Sequence, residues 1–250
     1  MATSTRIPLS RNSQLAAEIG RRIVSGLYQP GSLLPPEAQL LAEFGVSRPV
    51  LREAVKSLES KGMLEARQRR GTTITERSGW NMLDADVLGW IAQSGADPEM
   101  LIRLTDVRMI VEPGACMLAA KSGSDEAIRK VDEAYQRMAA HVDQPQLFIQ
   151  ADRDFHLALM AACSNEYLAA VGTAISAALT VSLQRMNPIP QSNRGSLLLH
   201  EPIVRALLRR DGAAAARASQ HQLEDAFRRL RTEGAQAPVK AARRAVKRPA

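Results

Sequence analysis

Apolar residues recur at helical spacing through most of this chain, and the places where they stop doing so divide it. Leu15, Ile19 and Ile23 form one stripe between Ser13 and Leu27, an amphipathic helix that ends at the turn-forming run Gly26-Leu27-Tyr28-Gln29-Pro30-Gly31. Leu40, Leu41 and Phe44 place a short helix at Glu37–Phe44, and Leu51, Val55 and Leu58 place another that starts near Ser47 and stops at Gly62. Gly45-Val46-Ser47 is the turn between them: glycine accepts the left-handed backbone of a sharp reversal, Ser47 is a good N-cap, and Pro49 falls in the first turn, where a missing N–H costs little. Arg48, Arg52 and Lys56 recur four apart on the other face of that second helix. Period-two patterning follows. Leu64–Arg67 and Thr72–Thr75 flank Gln68-Arg69-Arg70-Gly71, a β-hairpin with Arg67, Arg69 and Arg70 at its tip.

Residues 78–96 read as a linker, but Trp80, Leu83, Val87, Leu88 and Trp90 are too apolar for a free tether, so packing between domains is expected, helical from Asp84 onward. From residue 97 to about 232 the pattern is helix after helix: Pro98–Lys121, Asp125–Val142 behind a Ser124 cap, Leu147–Cys163, Asn165–Met186, Leu197–Arg210 and Asp211–Arg231, with a loop over Asn187–Gly195. Residues 233–250 read as a basic tail, either disordered or an auxiliary contact to a polyanion. The fold class is therefore mainly α: a winged helix-turn-helix over residues 1–77 and an all-α bundle over 97–232.

Charge sharpens this division. The whole chain of 250 residues carries +7. Residues 1–77 hold 12 Lys+Arg against 7 Asp+Glu, and residues 235–250 hold 5 against none, while residues 78–234 hold 16 against 19. A basic module joined to a mildly acidic one fits a nucleic-acid reader attached to a domain with another task. Cys116 and Cys163, both in apolar helical contexts, read as free buried thiols of a reducing compartment. The N-terminus has no apolar secretory stretch, and the uncharged run Tyr167–Gln184 reads as a buried helix rather than a membrane span, so a cytoplasmic protein is expected.

An arginine-rich helix start behind a tight turn suits a DNA major groove, where Arg forks onto guanine edges, and a basic hairpin suits the phosphate backbone or a minor groove. The same helix alone could be a solvated surface face. Gly26–Gly31, Leu34-Pro35-Pro36-Glu37, Gly45-Val46-Ser47-Arg48-Pro49-Val50-Leu51-Arg52-Glu53-Ala54 and Leu58–Gly62 together resemble the N-terminal winged helix of the GntR family of bacterial transcription factors. The resemblance implies that Ser47, Arg48, Pro49, Val50, Arg52 and the wing glycine Gly71 lie against an operator, and the basic hairpin tip adds Arg69 and Arg70 to the expected contacts. It also marks a departure: Ala38 stands where many relatives carry arginine, so one DNA contact is missing here.

Three of the chain's four histidines are placed to converge. Asp152 and His156 are four apart and share a helix face, His200 lies on the next-to-last helix, and His221 on the last. One carboxylate with three imidazoles suits a borderline divalent cation, zinc first, with nickel, manganese or cobalt behind it; isolated helical histidines that serve only packing are the alternative. Asp152-Arg153-Asp154-Phe155-His156, Asn165, His200-Glu201-Pro202, Asp211-Gly212 and His221-Gln222-Leu223 resemble the FCD effector domain of FadR-type GntR regulators. That resemblance implies a metal held by Asp152, His156, His200 and His221, with Arg108 and Asn165 contacting a carboxylate effector.

Trp80–Trp90, Asp97-Pro98 and Val107-Arg108 with Val111-Glu112-Pro113 are similar to a sugar-acid-responsive member of the family. The expected effector is thus an aldonate such as galactonate, or a keto-deoxy acid. The expected protein is a homodimeric, non-enzymatic transcriptional repressor that releases double-stranded DNA when it binds this acid. A metal-dependent enzyme acting on sugar acids is the rival reading, and an architectural DNA-binding protein a third.

Overall fold

The structure is a computed structural model that describes residues 10–67, 71–94 and 98–236. Helix α1 (Arg11–Val24) begins at Ser10, whose hydroxyl accepts from Ser13 N–H, and buries Leu15, Ile19 and Ile23 as its periodicity requires. Helix α2 (Glu37–Phe44) ends at Gly45, which takes φ +60°, and α3 (Arg48–Ser60) starts after Ser47 and is stopped by Gly62 at φ +72°. Strands β1 (Leu64–Arg67) and β2 (Gly71–Ile74) pair antiparallel with Leu64 opposite Ile74. Residues 31–34 add a partial third edge: Gly31 N–H donates to the Ile74 carbonyl and Leu34 N–H to the Thr72 carbonyl, both at 2.8 Å. Ile19, Leu40, Leu51, Leu58, Met63 and Ile74 close the core beneath this sheet.

The connecting stretch is an integral part of that core. Trp80 is buried, with its indole N–H donating to the Thr75 carbonyl. Helix α4 (Ala85–Gln93) is capped by Asp84, which accepts from Asp86 N–H and Val87 N–H. Trp90 packs on Gly20 of α1, so close that a Cβ there would sit 2.3 Å from the ring. On its other side α4 packs against the bundle, with Gly89 in contact with Ala177. Lys61, at the end of α3, reaches across to Asp84 at 2.8 Å and to Asp86 at 2.9 Å.

The bundle comprises α5 (Pro98–Ser122), α6 (Asp125–Ala140), α7 (Pro145–Ala162), α8 (Glu166–Met186), α9 (Pro190–Leu208) and α10 (Gly212–Gln236). Phe148, Phe155, Leu159, Met138, Ile203 and Leu207 form its main core. Helix α8 is long and apolar enough to cross a membrane by length and composition, but it buries Ile175, Ala178, Leu179, Leu183 and Met186 within the protein.

Two expectations are corrected. Residues Pro190–Gly195 are helix rather than loop: proline presets the first turn, Ser192 exchanges hydrogen bonds with Ile189, and Asn193 donates to the Val142 carbonyl at 2.8 Å. The last helix also runs to Gln236, past residue 232.

The Lys61 bridge generates a prediction. Burial raises the Asp84 carboxyl, but Lys61 together with the N–H groups of Val87 and Asp86 outweighs it and holds the group below its ordinary value of 3.8. A depressed carboxylate stabilises the fold above that ordinary value and ceases to do so as pH falls through the lower, folded value. Lys61→Met should therefore cost about 1–2 kcal/mol at neutral pH. Urea unfolding at several pH values should show the deficit persisting down to about pH 4 and shrinking below it.

Candidate functional site

The winged-helix unit presents one basic face. Ser47 stands at the N-cap of α3, yet its hydroxyl makes no capping bond and is exposed, and Pro49 follows in the first turn. Arg48 is exposed and paired with Glu37 at 3.3 Å, and Arg52 is exposed one turn on, while Val50 is half-buried. A cleft of about 450 Å³ separates α3 from the hairpin, lined by Pro36, Arg52, Lys56 and Gly71, the last at φ +85°. Arg69 and Arg70 lie outside the described residues. A helix start with exposed polar groups beside a cleft and a hairpin can lie in a major groove while the hairpin follows the backbone.

The second site is sealed inside the bundle. Helical spacing puts Asp152 and His156 on one face of α7, and α9 brings His200 against them. All three are at most 2% exposed. His200 Nδ1 lies 2.7 Å from the Ser196 carbonyl, and His156 Nδ1 lies 2.9 Å from Glu112 Oε2. Both partners accept only, so each imidazole carries a hydrogen on Nδ1, and Nε2 is the ring atom that faces the cluster. The two Nε2 atoms are 3.4 Å apart, and each is 3.3 Å from Asp152 Oδ1. Asp152 Oδ1 has no hydrogen-bond partner. With both Nε2 atoms deprotonated the three atoms converge as ligands, and a two-nitrogen, one-oxygen donor set suits a divalent transition metal.

Charged neighbours surround this cluster. Arg108, fully buried on α5, donates to Glu112 Oε1 through Nε at 2.6 Å, and its Nη2 lies 2.9 Å from His156 Nε2. Burial alone would push the Glu112 carboxyl up, but the Arg108 charge and His156 bring it down to about 2. Burial would also push the Asp152 carboxyl up, but His200 and His156 in their protonated forms together hold it below the usual carboxylate range. Burial works against the imidazolium of His156, yet the Glu112 carboxylate raises its affinity for a proton above the ordinary value. Asn187, buried at the end of α8, donates to Asp152 Oδ2 at 3.1 Å and in turn accepts from Arg229 of α10. Phe155 packs edge-on against both imidazoles.

The sequence-based ligand set is therefore corrected in two places. His221 is exposed and stands apart from the cluster, whereas its neighbour Gln222 is buried. The inward stripe of α10 runs through Ala215, Ser219, Gln222 and Ala226, and His221 falls one residue off it. Asn165 is the N-cap of α8, accepting from the N–H groups of Tyr167 and Leu168, at the opposite end of that helix from Asn187. Sequence reasoning missed Glu112 and Asn187 as members of the site. The four-residue spacing from Arg108 was a signal for Glu112, whereas nothing in the pattern distinguished Asn187 within its Pro-rich surroundings.

Comparison with known proteins agrees with both halves. Residues 11–74 match the bacterial regulatory proteins of the gntR family, and residues 103–225 match the FCD domain. The chain is 31% identical over 224 residues to the galactonate operon transcriptional repressor of Escherichia coli K12, covering 89% of this chain and 98% of that protein. It is 27% identical to the transcriptional repressor NanR of Citrobacter rodentium, over 86% of this chain and 85% of NanR. Among solved structures it resembles Lar, described as controlling expression of the agr system of Listeria monocytogenes, with a TM-score of 0.67 at 17% identity over 91% of this chain and 99% of Lar. Escherichia coli McbR/YncC superposes with a TM-score of 0.53 at 16% identity, over 90% of this chain and 99% of the other. A DNA-reading winged helix joined to an effector-binding helical domain, and no enzyme, is what these residues build: the chain belongs to the GntR family of transcriptional regulators, in the group that carries an FCD domain.

Proposed function

We propose that this regulator is a cytoplasmic, homodimeric repressor of sugar-acid catabolism, released from its operator when an acid such as D-galactonate binds beside a divalent metal in the helical domain. The observation that carries the reading is the buried group Arg108–Glu112–His156–Asp152–His200. Once both Nε2 atoms are deprotonated, as ligation requires, the group's formal charge is −1 and a cation takes the place of the protons. Asp152, His156 and His200 would hold zinc, or nickel, manganese or cobalt, and the ion would supply positive charge for a carboxylate oxygen. A divalent ion then leaves the group at +1, and a buried net charge is costly until an anion joins it. Arg108 is the partner for that anion, since a guanidinium grips a carboxylate through paired hydrogen bonds. Nη2 of Arg108 now contacts His156, and an arriving carboxylate would draw it away. The relationship to the galactonate operon repressor supports a sugar acid as the effector.

A route from this site to the DNA runs through packed helices. Asn187 ties Asp152 to the end of α8, α8 packs on α4, and α4 presses Trp90 onto α1 of the winged helix. An effector that favours one position of α8 also favours one position of the DNA-reading unit, and the difference in affinity between the two positions is the switch. A homodimer is supported by the outer face of α5. Val107, Ile110 and Met117 are 41%, 79% and 54% exposed along one stripe, and Gly114 between them leaves room for close approach.

Two experiments test this. In fluorescence polarisation with an operator duplex, the metal-loaded protein binds DNA and galactonate releases it. Arg52→Ala loses the DNA while keeping the ligand-induced rise in melting temperature, and Arg108→Met binds the DNA but is not released. An Arg108→Met protein released as readily as wild type contradicts the reading. Separately, Ile110→Arg should convert the dimer to a monomer in sedimentation and weaken operator binding at least tenfold, since each half-site then binds alone.

A further inference from the structure

Inside the bundle, several buried polar side-chain atoms of the described residues have no protein partner. Besides Asp152 Oδ1 these include Arg108 Nη1, Ser182 Oγ, Ser219 Oγ and Gln222 Oε1. Buried polar groups are almost always satisfied, so four more near one site call for a common explanation. Two others, His141 Nδ1 and Asn193 Oδ1, belong to the far end where α6 meets α9, since Asn193 donates to Val142 O.

The register of the helices brings the four together. Gly212 packs on Met117 and Ala120, Ser219 lies beside the Cys116 thiol, and Ala226 and Leu230 share a cluster with Leu101. Helix α10 therefore runs antiparallel to α5, and Gln222 falls at the level of Arg108. Ser182 belongs to the inward stripe of α8 with Leu179 and Met186, which share that same cluster with α5 and α10. The buried faces of α8 and α10 that pack with α5 thus carry two hydroxyls that donate or accept and one amide oxygen that only accepts.

We infer that Gln222, Ser219 and Ser182 read the hydroxyl groups of the effector, so that the site selects a polyhydroxylated monocarboxylic acid over acyl, aromatic or dicarboxylic acids. The inference rests on the effector site proposed above and names what that site recognises. The charge count fits one carboxylate, because a metal-bearing group at +1 is neutralised by a monoanion and driven negative by a dianion. The orphan atoms fit hydroxyls. An alkyl chain beside them would leave Gln222 Oε1 and Ser182 Oγ unpaired and Ser219 with only the weak Cys116 thiol, and a site built for hydrogen bonds discriminates strongly against analogues that lack them. Gln222 is the sharpest reader, since its oxygen demands a donor that an ether, ketone or methylene lacks.

The test is calorimetric titration of the full-length, metal-loaded protein with galactonate, hexanoate and adipate, in wild type and in Gln222→Leu, Ser182→Ala and Ser219→Ala. Wild type should bind galactonate at least a hundredfold more tightly than hexanoate or adipate. Gln222→Leu should weaken galactonate about tenfold to a hundredfold and leave hexanoate unchanged or tighter. Its metal-loaded melting temperature without ligand should be equal to or above that of wild type, because a buried orphan oxygen is gone; a merely structural glutamine would give a lower one. Each serine variant should weaken galactonate by a smaller factor. Hexanoate binding as tightly as galactonate, or galactonate binding undiminished in Gln222→Leu, overturns the inference while leaving an acid-responsive regulator intact. If none of the three acids binds and none releases the operator, the effector reading falls and this inference with it.

Discussion

Burying Arg108 against Glu112 and His156, with Asp152 and His200 completing the group, is the constraint from which the rest of this molecule follows. Ionised side chains survive in a dry interior only when each is matched by opposite charge or by hydrogen bonds. Arg108 and Glu112 achieve this mutually at 2.6 Å, and Phe155 packs against both buried imidazoles. Removing one member leaves a charge stranded, so the cluster fixes the rotation of α5, α7 and α9 about their own axes. Its incomplete satisfaction is as informative as its pairing. Asp152 Oδ1 and Arg108 Nη1 remain without partners, and one accepts while the other donates, the complement of a cation and of an anion.

That constraint reaches the DNA-reading unit because the helices between them are packed rather than tethered. The end of α8 is held by Asn187 to Asp152, the middle of α8 lies on α4, and α4 is fixed to the winged helix by Trp90 on Gly20 and by Lys61 on Asp84. Close-packed contacts of this kind transmit displacement rather than absorb it. The linker therefore acts as a shared wall of both domains.

Much of this was legible in the sequence, for physical reasons that can be located. The winged helix was readable because Leu15/Ile19/Ile23, Leu51/Leu58 and the glycines at 45, 62 and 71 are local signals, each decided within a few residues. Asp152 and His156 were readable because four residues on a helix is a contact distance. The failures are tertiary. Whether His221 or Gln222 faces inward depends on a rotation of about 100° per residue, set by how α10 lies on α5. Asn165 and Asn187 look alike as isolated asparagines at opposite ends of α8, and only packing makes one a cap and the other a partner of Asp152. Residues 190–195 read as loop from their prolines and polar residues, but Asn193 anchored to Val142 O carries the helix through them.

The central claim is that three residues, Asp152, His156 and His200, form a metal site to which His221 does not belong. Titrating the metal-stripped protein with cobalt(II), whose visible absorption reports on its ligands, tests it most directly. The account predicts one ion per chain with an absorption band that disappears in His200→Ala and is unchanged in His221→Ala. A band that survives His200→Ala, or that is lost in His221→Ala, would contradict it.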